Sequence, residues 1–278
     1  MSGMTTPPQT ARFRELHRPG DPLIMPNPWD LGSARLLASM GYEALATTSS
    51  GHAASLGRSD QHVTRHELLA HVAALSAAVD LPLNVDAERG FADDPAGVAE
   101  TVGLVAEAGA AGCSIEDYDP QVGRIEPLEM AAERVAAAAD AARAHGIVLT
   151  ARAENHLYGI DDLEDTIRRL RAYRDAGAEV LYAPGLVESG QIRRVVQEID
   201  APINVLALRR GPTVAELAAL GVRRVSTGGG LARAAYGALL AAGRELQTAG
   251  TTTYLDSAIS GQALDGAFNA GEPEPTSS

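Results

Sequence analysis

Asp86 and Glu88 stand two residues apart in NVDAERGF, Glu116 and Asp117 close GCSIEDYD, and Arg152 and Glu154 alternate in VLTARAENH. In an extended strand, residues two apart point to the same side. Asp86 therefore shares a face with Glu88, and Arg152 with Glu154. Carboxylates gathered away from water are unfavourable unless a proton or a cation stands between them. Their oxygens suit a hard divalent ion, Mg²⁺ first and Mn²⁺ as its substitute. An arginine facing the same space offers a fork for a carboxylate or phosphonate. Any one of these acids alone reads as a helix N-cap. Charged residues at the same end of three consecutive apolar runs point instead to a site for a small acid.

Other polar residues fall at equivalent places. Ser49, Ser50, Gly51 and His52 in TTSSGHAASLGRSD form a small-residue turn whose backbone N–H groups could cradle a carboxylate or phosphoryl oxygen. Asp60 follows in the same polar loop. Asn204 interrupts the apolar run PINVLA, either to bond substrate or to tie strands together. The STGGG turn, residues 226–230, sits where many barrels bind phosphate, and reads equally as a plain turn. His52 and His156 are placed to face the site; His17, His62, His66, His71 and His145 read as surface. Cys113 reads as a buried small apolar residue.

The elements that must hold these residues follow from periodicity. Strands are expected at Leu23–Asn27, Ala44–Ser49, Leu83–Glu88, Gly112–Asp117, Ile147–Glu154, Val180–Pro184, Ile203–Ala207 and Arg224–Thr227. Helices are expected to start near Asp30, Arg65, Pro95, Pro127, Asp161, Glu188, Thr213 and Leu231, with a capping box at Thr213 and Glu216. Eight strand–helix units with short connections imply parallel strands and favour a closed (β/α)8 TIM barrel, although an open doubly wound sheet has the same alternation. A short helix over Arg12–His17 is expected to plug the barrel bottom. The barrel is assigned to residues 1–250 and a tail to 251–278, whose last residues are expected to be disordered.

Composition narrows the function. The chain has 278 residues, 45% hydrophobic and 4% aromatic, so Ala, Leu and Val must fill the core. A net charge of −13 argues against nucleic-acid partners. All 23 basic residues are arginine, which excludes Schiff-base aldolase and pyridoxal chemistry and a Walker lysine. The one cysteine excludes an intrachain disulfide and a thiolate zinc site. Met1–Gln9 lacks a signal-peptide pattern, and no apolar run approaches a membrane span, so a cytoplasmic chain that avoids membranes is expected.

Taken jointly and in order, TSSGHAASLGRSD, NVDAERGF, SIEDYD, TARAEN and PINVLA resemble the isocitrate lyase/phosphoenolpyruvate mutase superfamily, from about Phe13 to Leu246. The resemblance implies a (β/α)8 barrel, with the eighth helix swapped between partners in many members, and a homo-dimer or homo-tetramer. It implies Mg²⁺ held directly by Asp86, with Asp60, Glu88 and Glu116 as a water-mediated acidic shell. Ser50, Gly51 and His52 match the turn that binds the 2-oxo acid, and Arg152 the arginine that grips the substrate anion. Glu154, His52 or a metal-bound water are candidates for the general acid or base.

Three departures shape the expectation. Glu88 stands where the family has Asp. The loop DPQVGRIEP after the fourth strand is short and lacks the catalytic cysteine of the isocitrate and methylisocitrate lyases, which predicts an open mouth. Pro184 stands where the phosphonate mutases have a histidine. The reading is a Mg²⁺-dependent lyase or decarboxylase acting on a small 2-oxo or 2-hydroxy acid through a pyruvate-type enolate. The alternatives are a phosphonopyruvate mutase or hydrolase, and a non-catalytic 2-oxo acid binding protein.

Overall fold

Each expected strand and helix is present in the computed structural model, which describes residues 8–269. In chain order the elements are α1 (Pro8–Glu15), β1 (Leu23–Met25), α2 (Leu31–Ser39), β2 (Leu45–Ala46), α3 (Ser49–Ser55), α4 (Arg65–Ala78), β3 (Leu83–Asp86), α5 (Pro95–Glu107), β4 (Gly112–Glu116), β5 (Tyr118–Asp119), β6 (Arg124–Ile125), α6 (Leu128–His145), β7 (Val148–Arg152), α7 (Leu163–Asp175), β8 (Val180–Tyr182), α8 (Ser189–Glu198), β9 (Ile203–Leu206), α9 (Val214–Ala219), β10 (Arg224–Ser226), α10 (Gly230–Thr248), a 3-10 turn (Thr253–Ser257) and α11 (Gly261–Asn269).

Eight parallel strands run in the order β1-β10-β9-β8-β7-β4-β3-β2. The two edges meet where Ala46 N–H donates to Pro26 O at 3.1 Å, so the sheet closes as a (β/α)8 barrel. The antiparallel pair β5–β6 is a small hairpin on the loop after β4.

Strand alternation sorts the side chains into two environments. Leu83, Val85, Cys113, Ile115, Leu149 and Ala151 point outward and pack against Val72, Val98, Val102, Val135 and Ile167 of the helices. The intervening residues Asn84, Asp86, Ser114, Glu116, Thr150 and Arg152 point into the barrel. Its bottom is apolar: Leu23, Ala44, Val148 and Val180 close on Phe13 and Leu16, which α1 brings across the opening. The plug helix thus lies at Pro8–Glu15, slightly upstream of the expected Arg12–His17. His17, expected on the surface, is buried behind it, with Nδ1 2.9 Å from Phe13 O.

Helix starts follow local chemistry. Thr213 and Glu216 form the expected capping box, Thr64 with Glu67 and Asp30 with Ser33 form two more, and Pro95 follows the Asp94 cap. Past residue 251 the chain returns to α2, where Arg35 Nη1 donates to Phe268 O at 3.1 Å. The disorder expected for the last residues concerns 270–278, outside the described residues. Among the described residues no helix is long and apolar enough to cross a membrane.

Phe13, on α1, is fully buried against the barrel bottom. Phe13→Ala is expected to destabilise the fold by about 3–5 kcal/mol, as large-to-small core changes do. Urea denaturation checks this; a loss under about 1 kcal/mol would show that α1 is not part of the core.

Candidate active site at the barrel mouth

Asp86, Glu116 and Arg152 are the last residues of β3, β4 and β7, so strand geometry delivers all three to the C-terminal rim. Arg152 binds three carboxylates at once. Its Nη1 lies 2.7 Å from Asp86 Oδ1, Nη2 3.0 Å from Glu116 Oε2, and Nε 2.7 Å from Glu154 Oε1. The guanidinium also sits over the Tyr182 ring, 5.4 Å from its centroid.

Glu88 reaches the group by a different route from the one expected. β3 ends at Asp86, and Glu88 adopts φ 47°, in the left-handed region. A shared strand face therefore does not bring Asp86 and Glu88 together; a strained turn does. Gln61 Nε2 donates to the outer Glu116 oxygen at 2.9 Å. Asp60 lines the same cleft from the loop after α3.

The electrostatics record a shortage of positive charge. Burial, then Asp86 and Asp60, push Glu88 up to about 8. Burial and Asp86 raise Asp60, and burial raises Glu116 well above the carboxylate range against the pull of Arg152. Glu154 is raised too, chiefly by burial, and its Oε2 has no partner. Burial works against the charge of Arg152, but Glu154, Glu116 and Asp86 outweigh it and hold the guanidinium ionised.

A cleft of about 180 Å³ opens over Asp60, Asp86 and Arg152, while Glu88 faces a neighbouring cavity with Gln61 and Arg89. Ser49, Ser50, Asp60, Asp86, Arg152 and Asn204 line it, with Met25, Leu157, Pro184 and Leu206 as apolar wall. No residue of the short 117–127 loop lines it; there Tyr118 instead stacks on Tyr158, ring centroids 3.6 Å apart.

Several expected residues stand elsewhere. His52 does not line the cleft: residues 49–55 form the helix α3 rather than a turn, and the helix directs His52 backward onto His71, ring centroids 3.8 Å apart. Burial lowers its basicity, and neither ring nitrogen has a partner. Gly51 serves packing, since a Cβ there would lie 2.5 Å from Thr48 Cγ2 and 3.0 Å from Trp29 Cβ. Its N–H is taken by the Thr48 cap, and that of Ser49 by Asp86 Oδ2 at 3.0 Å. Glu154 is fully buried behind Arg152 rather than in the cleft. The STGGG turn is no open phosphate cradle, because Thr227 N–H and Gly228 N–H both donate to Asn27 Oδ1, at 2.8 and 2.9 Å.

Arg233, on the first turn of α10, lines the cleft and forms no ion pair among the described residues. Sequence reasoning missed it. It also missed Arg224 and Asn84, although each shares strand parity with a residue it did select or a polar neighbour: Asn84 with Asp86, Arg224 with Ser226.

Among the described residues, no three His, Cys, Asp or Glu side chains are gathered closely enough to coordinate one ion directly. The donor set is all carboxylate, with raised acids around a single arginine. That fits a hard divalent cation that keeps much of its water, and Asp60, Asp86, Glu88 and Glu116 are the residues that would hold it.

The chain matches the family model for phosphoenolpyruvate phosphomutase over residues 13–247. It is similar to the 2-methylisocitrate lyase of Salmonella typhimurium (strain LT2), 32% identical over 208 residues, which are 68% of this chain and 70% of that protein. A crystal structure from Burkholderia cenocepacia J2315, provisionally described as a lyase/mutase, superposes with TM-score 0.90 at 51% identity, covering 95% of this chain and 96% of the other. That of 2,3-dimethylmalate lyase does so with TM-score 0.82 at 28% identity, over 95% of each chain.

Glu88 binds a proton on folding across the window from its ordinary value near 4.5 to about 8. The folded state thus holds more protons than the unfolded one there, and its stability falls as pH rises, by at most about 1.4 kcal/mol per pH unit for one group. Metal-free protein is expected to lose stability from pH 5 to pH 8, and Glu88→Gln to flatten that slope, in urea denaturation at several pH values with chelator present. Equal slopes for the two proteins would remove Glu88 from the cluster.

Proposed function

The chain belongs to the isocitrate lyase/phosphoenolpyruvate mutase superfamily and is an enzyme of it; from that premise we propose a divalent-metal-dependent carbon–carbon lyase or decarboxylase acting on a small 2-oxo or 2-hydroxy acid. The observation that carries the reading is that Asp86 and Glu116 both bind Arg152, with Asp60 and Glu88 raised by burial and by nearby Asp86, Glu88 to about 8. The preferred ion is Mg²⁺, with Mn²⁺ as substitute. Pro184 lines the cleft at the position where, by the resemblance, the phosphonate mutases carry a histidine, so the phosphonate reading is not adopted.

When the C3–C4 bond of a 2-oxo acid breaks, the electron pair left on C3 is delocalised onto the 2-oxo oxygen as an enolate. In a 2-hydroxy acid the hydroxyl gives up its proton to a base, the C2–C3 bond breaks, and the pair is delocalised onto a carboxylate borne by C3. A divalent cation at the carboxylate cluster supplies Lewis-acid stabilisation of that charge. Arg152 supplies the anchor. Its Nη1 and Nη2 bind Asp86 and Glu116, and both would turn to a substrate carboxylate as a bidentate fork once those two acids are neutralised by a cation. The bond from Nε to the buried Glu154 holds the fork in place during that exchange. Ser50 and Arg233 face the same space from the opposite rim. Met25, Leu157 and Leu206 exclude water and strengthen these interactions. Asp60, which lines the cleft and whose carboxyl burial and Asp86 raise, is the side chain we assign to passing a proton at its carboxyl oxygen.

We propose further that the protein is a homo-oligomer built through α10. Of that 19-residue helix only Ala232 is buried, while Leu239, Leu240 and Leu246 are exposed. An amphipathic helix with an uncovered apolar face needs a partner surface, and a second copy supplies one.

Purified protein with Mg²⁺ is expected to release pyruvate, read through lactate dehydrogenase, from at least one of oxaloacetate, dimethylmalate and methylisocitrate. Asp86→Ala should lower that rate about 10²–10³-fold, the scale seen on removing one charge-stabilising group. Its melting temperature should hold, because one carboxylate leaves a crowded cluster. Full activity in Asp86→Ala, or silence over the panel with metal bound, rejects the lyase reading. Light scattering should give a dimer or tetramer mass that falls in the double variant Leu239→Glu/Leu240→Glu; a wild-type monomer would reject the α10 interface.

A further inference from the structure

Arg224 is among the largest fully buried side chains, 1% exposed, on the inward face of β10. Its Nε donates to Asn204 Oδ1 at 3.0 Å and its Nη2 to Thr150 Oγ1 at 3.0 Å, while Nη1 lies 3.5 Å from His17 Nε2. All three partners are neutral. His17 is held neutral at ordinary pH, because burial and Arg224 itself bring it down to about 4. Among the described residues no carboxylate pairs with Arg224.

A buried ion with no counter-ion is costly, and proteins meet that cost with a partner or a ligand. Two observations point to a ligand. Arg224 lines the same cleft as Arg152 and Asp86, one inward layer below them, since its partner Thr150 precedes Arg152 by two positions in β7. Asn84 lines that lower part too, and its Oδ1 is buried without a hydrogen-bond partner. A guanidinium has five donors, of which Asn204, Thr150 and the long approach to His17 use three. The cleft therefore ends below the carboxylate cluster in an uncompensated cation and an unused acceptor.

We propose that Arg224 forms an anion subsite on the cleft floor that receives the second carboxylate of the substrate, while Asn84 accepts from a hydroxyl beside it, so that the enzyme selects 2-hydroxy or 2-oxo dicarboxylates over monocarboxylates. This rests on the reading of the cleft as a 2-oxo or 2-hydroxy acid site. Arg233, at the open rim, can follow a charge into solvent; Arg224 cannot, and is paired only if the ligand reaches it.

Lactate and malate differ by one carboxylate and are the probes. Calorimetric titration of the full-length protein with Mg²⁺ should show malate binding about tenfold or more tighter than lactate. Arg224→Met should bring the two affinities within about threefold of each other, and Arg224→Lys should restore part of the difference. Asn204→Asp serves as a second variant should Arg224→Met not fold. It places a carboxylate on the Arg224 Nε at the distance now held by the amide, gives the buried cation an internal counter-ion, and should erase the malate preference as well. Failure of the wild type to bind either acid rejects the underlying site reading. Equal binding of both acids by the wild type overturns the subsite and leaves the site reading standing. So does a malate preference that survives in folded Arg224→Met or Asn204→Asp, or one lost only in Arg233→Met.

Discussion

The barrel mouth depends on the placement of one guanidinium. Asp86, Glu116 and Glu154 come from different strand ends, and their mutual repulsion would drive them apart in a medium of low dielectric. Arg152 touches all three through separate nitrogens. A lysine would meet this geometry poorly, because an ammonium is a single point charge, whereas the planar fork fixes where each carboxylate must stand. One positive charge cannot balance three carboxylates with Asp60 and Glu88 beside them. The surplus appears as raised acids around a well-ionised arginine. Arg152 thus holds in place a site with an excess of negative charge, which is what the proposed divalent cation would offset.

Such a cluster reduces stability, and the fold places the compensating terms elsewhere. The outward strand residues and the helices form the large apolar core, and a smaller one seals the bottom beneath α1. Between that seal and the mouth lies a polar layer that is largely hydrogen-bonded, with Asn84 Oδ1 as the exception: Asn204 Nδ2 donates to Ser226 Oγ at 2.9 Å, and Ser114 Oγ to the backbone Val85 O at 3.3 Å. The layer lets charge stand inside a closed barrel, since a guanidinium set directly on the Leu23–Val180 seal would lack even neutral partners. Period-two alternation keeps the two demands on opposite faces of the same strands.

That alternation is also why the architecture was legible in the sequence. Eight short apolar runs, each followed by a capped helix, leave few arrangements, and Asp86, Glu116 and Arg152 are visible because charge rarely ends an apolar strand without reason. What escaped depended on backbone detail or on distant partners. SSGHAAS reads as a turn because of its serines and glycine, yet Thr48 caps it as a helix, and the helical repeat then sends His52 away from the cleft. Glu88 looked like a strand neighbour of Asp86, but a left-handed turn places it. Arg224 was taken as an ordinary strand residue and His17 as a surface one; their contact spans 207 residues, beyond any local pattern. Arg233 lies in an unremarkable helical segment, and only barrel closure brings it to Ser50.

That closure sets the rim of the cleft. β1 and β2 share no extended ladder, and the seam near them is drawn together by the amide of Asn27. Its Oδ1 accepts from Thr227 and Gly228, while its Nδ2 donates to Thr47 O at 2.7 Å. An aspartate could accept the first bonds but not make the last. The clamp fixes the turn leading to Gly229, where a Cβ would come within 2.5 Å of Ser50 Oγ and 2.8 Å of Arg233 Nη1. A side chain at Gly229 would require Ser50 and Arg233 to shift away from the rim. α10 leaves the barrel directly from that turn with Leu239, Leu240 and Leu246 exposed. If a second copy covers that face, as proposed above, its contacts would also bear on where Arg233 stands at the rim, because the helix and the cleft residue start from the same turn.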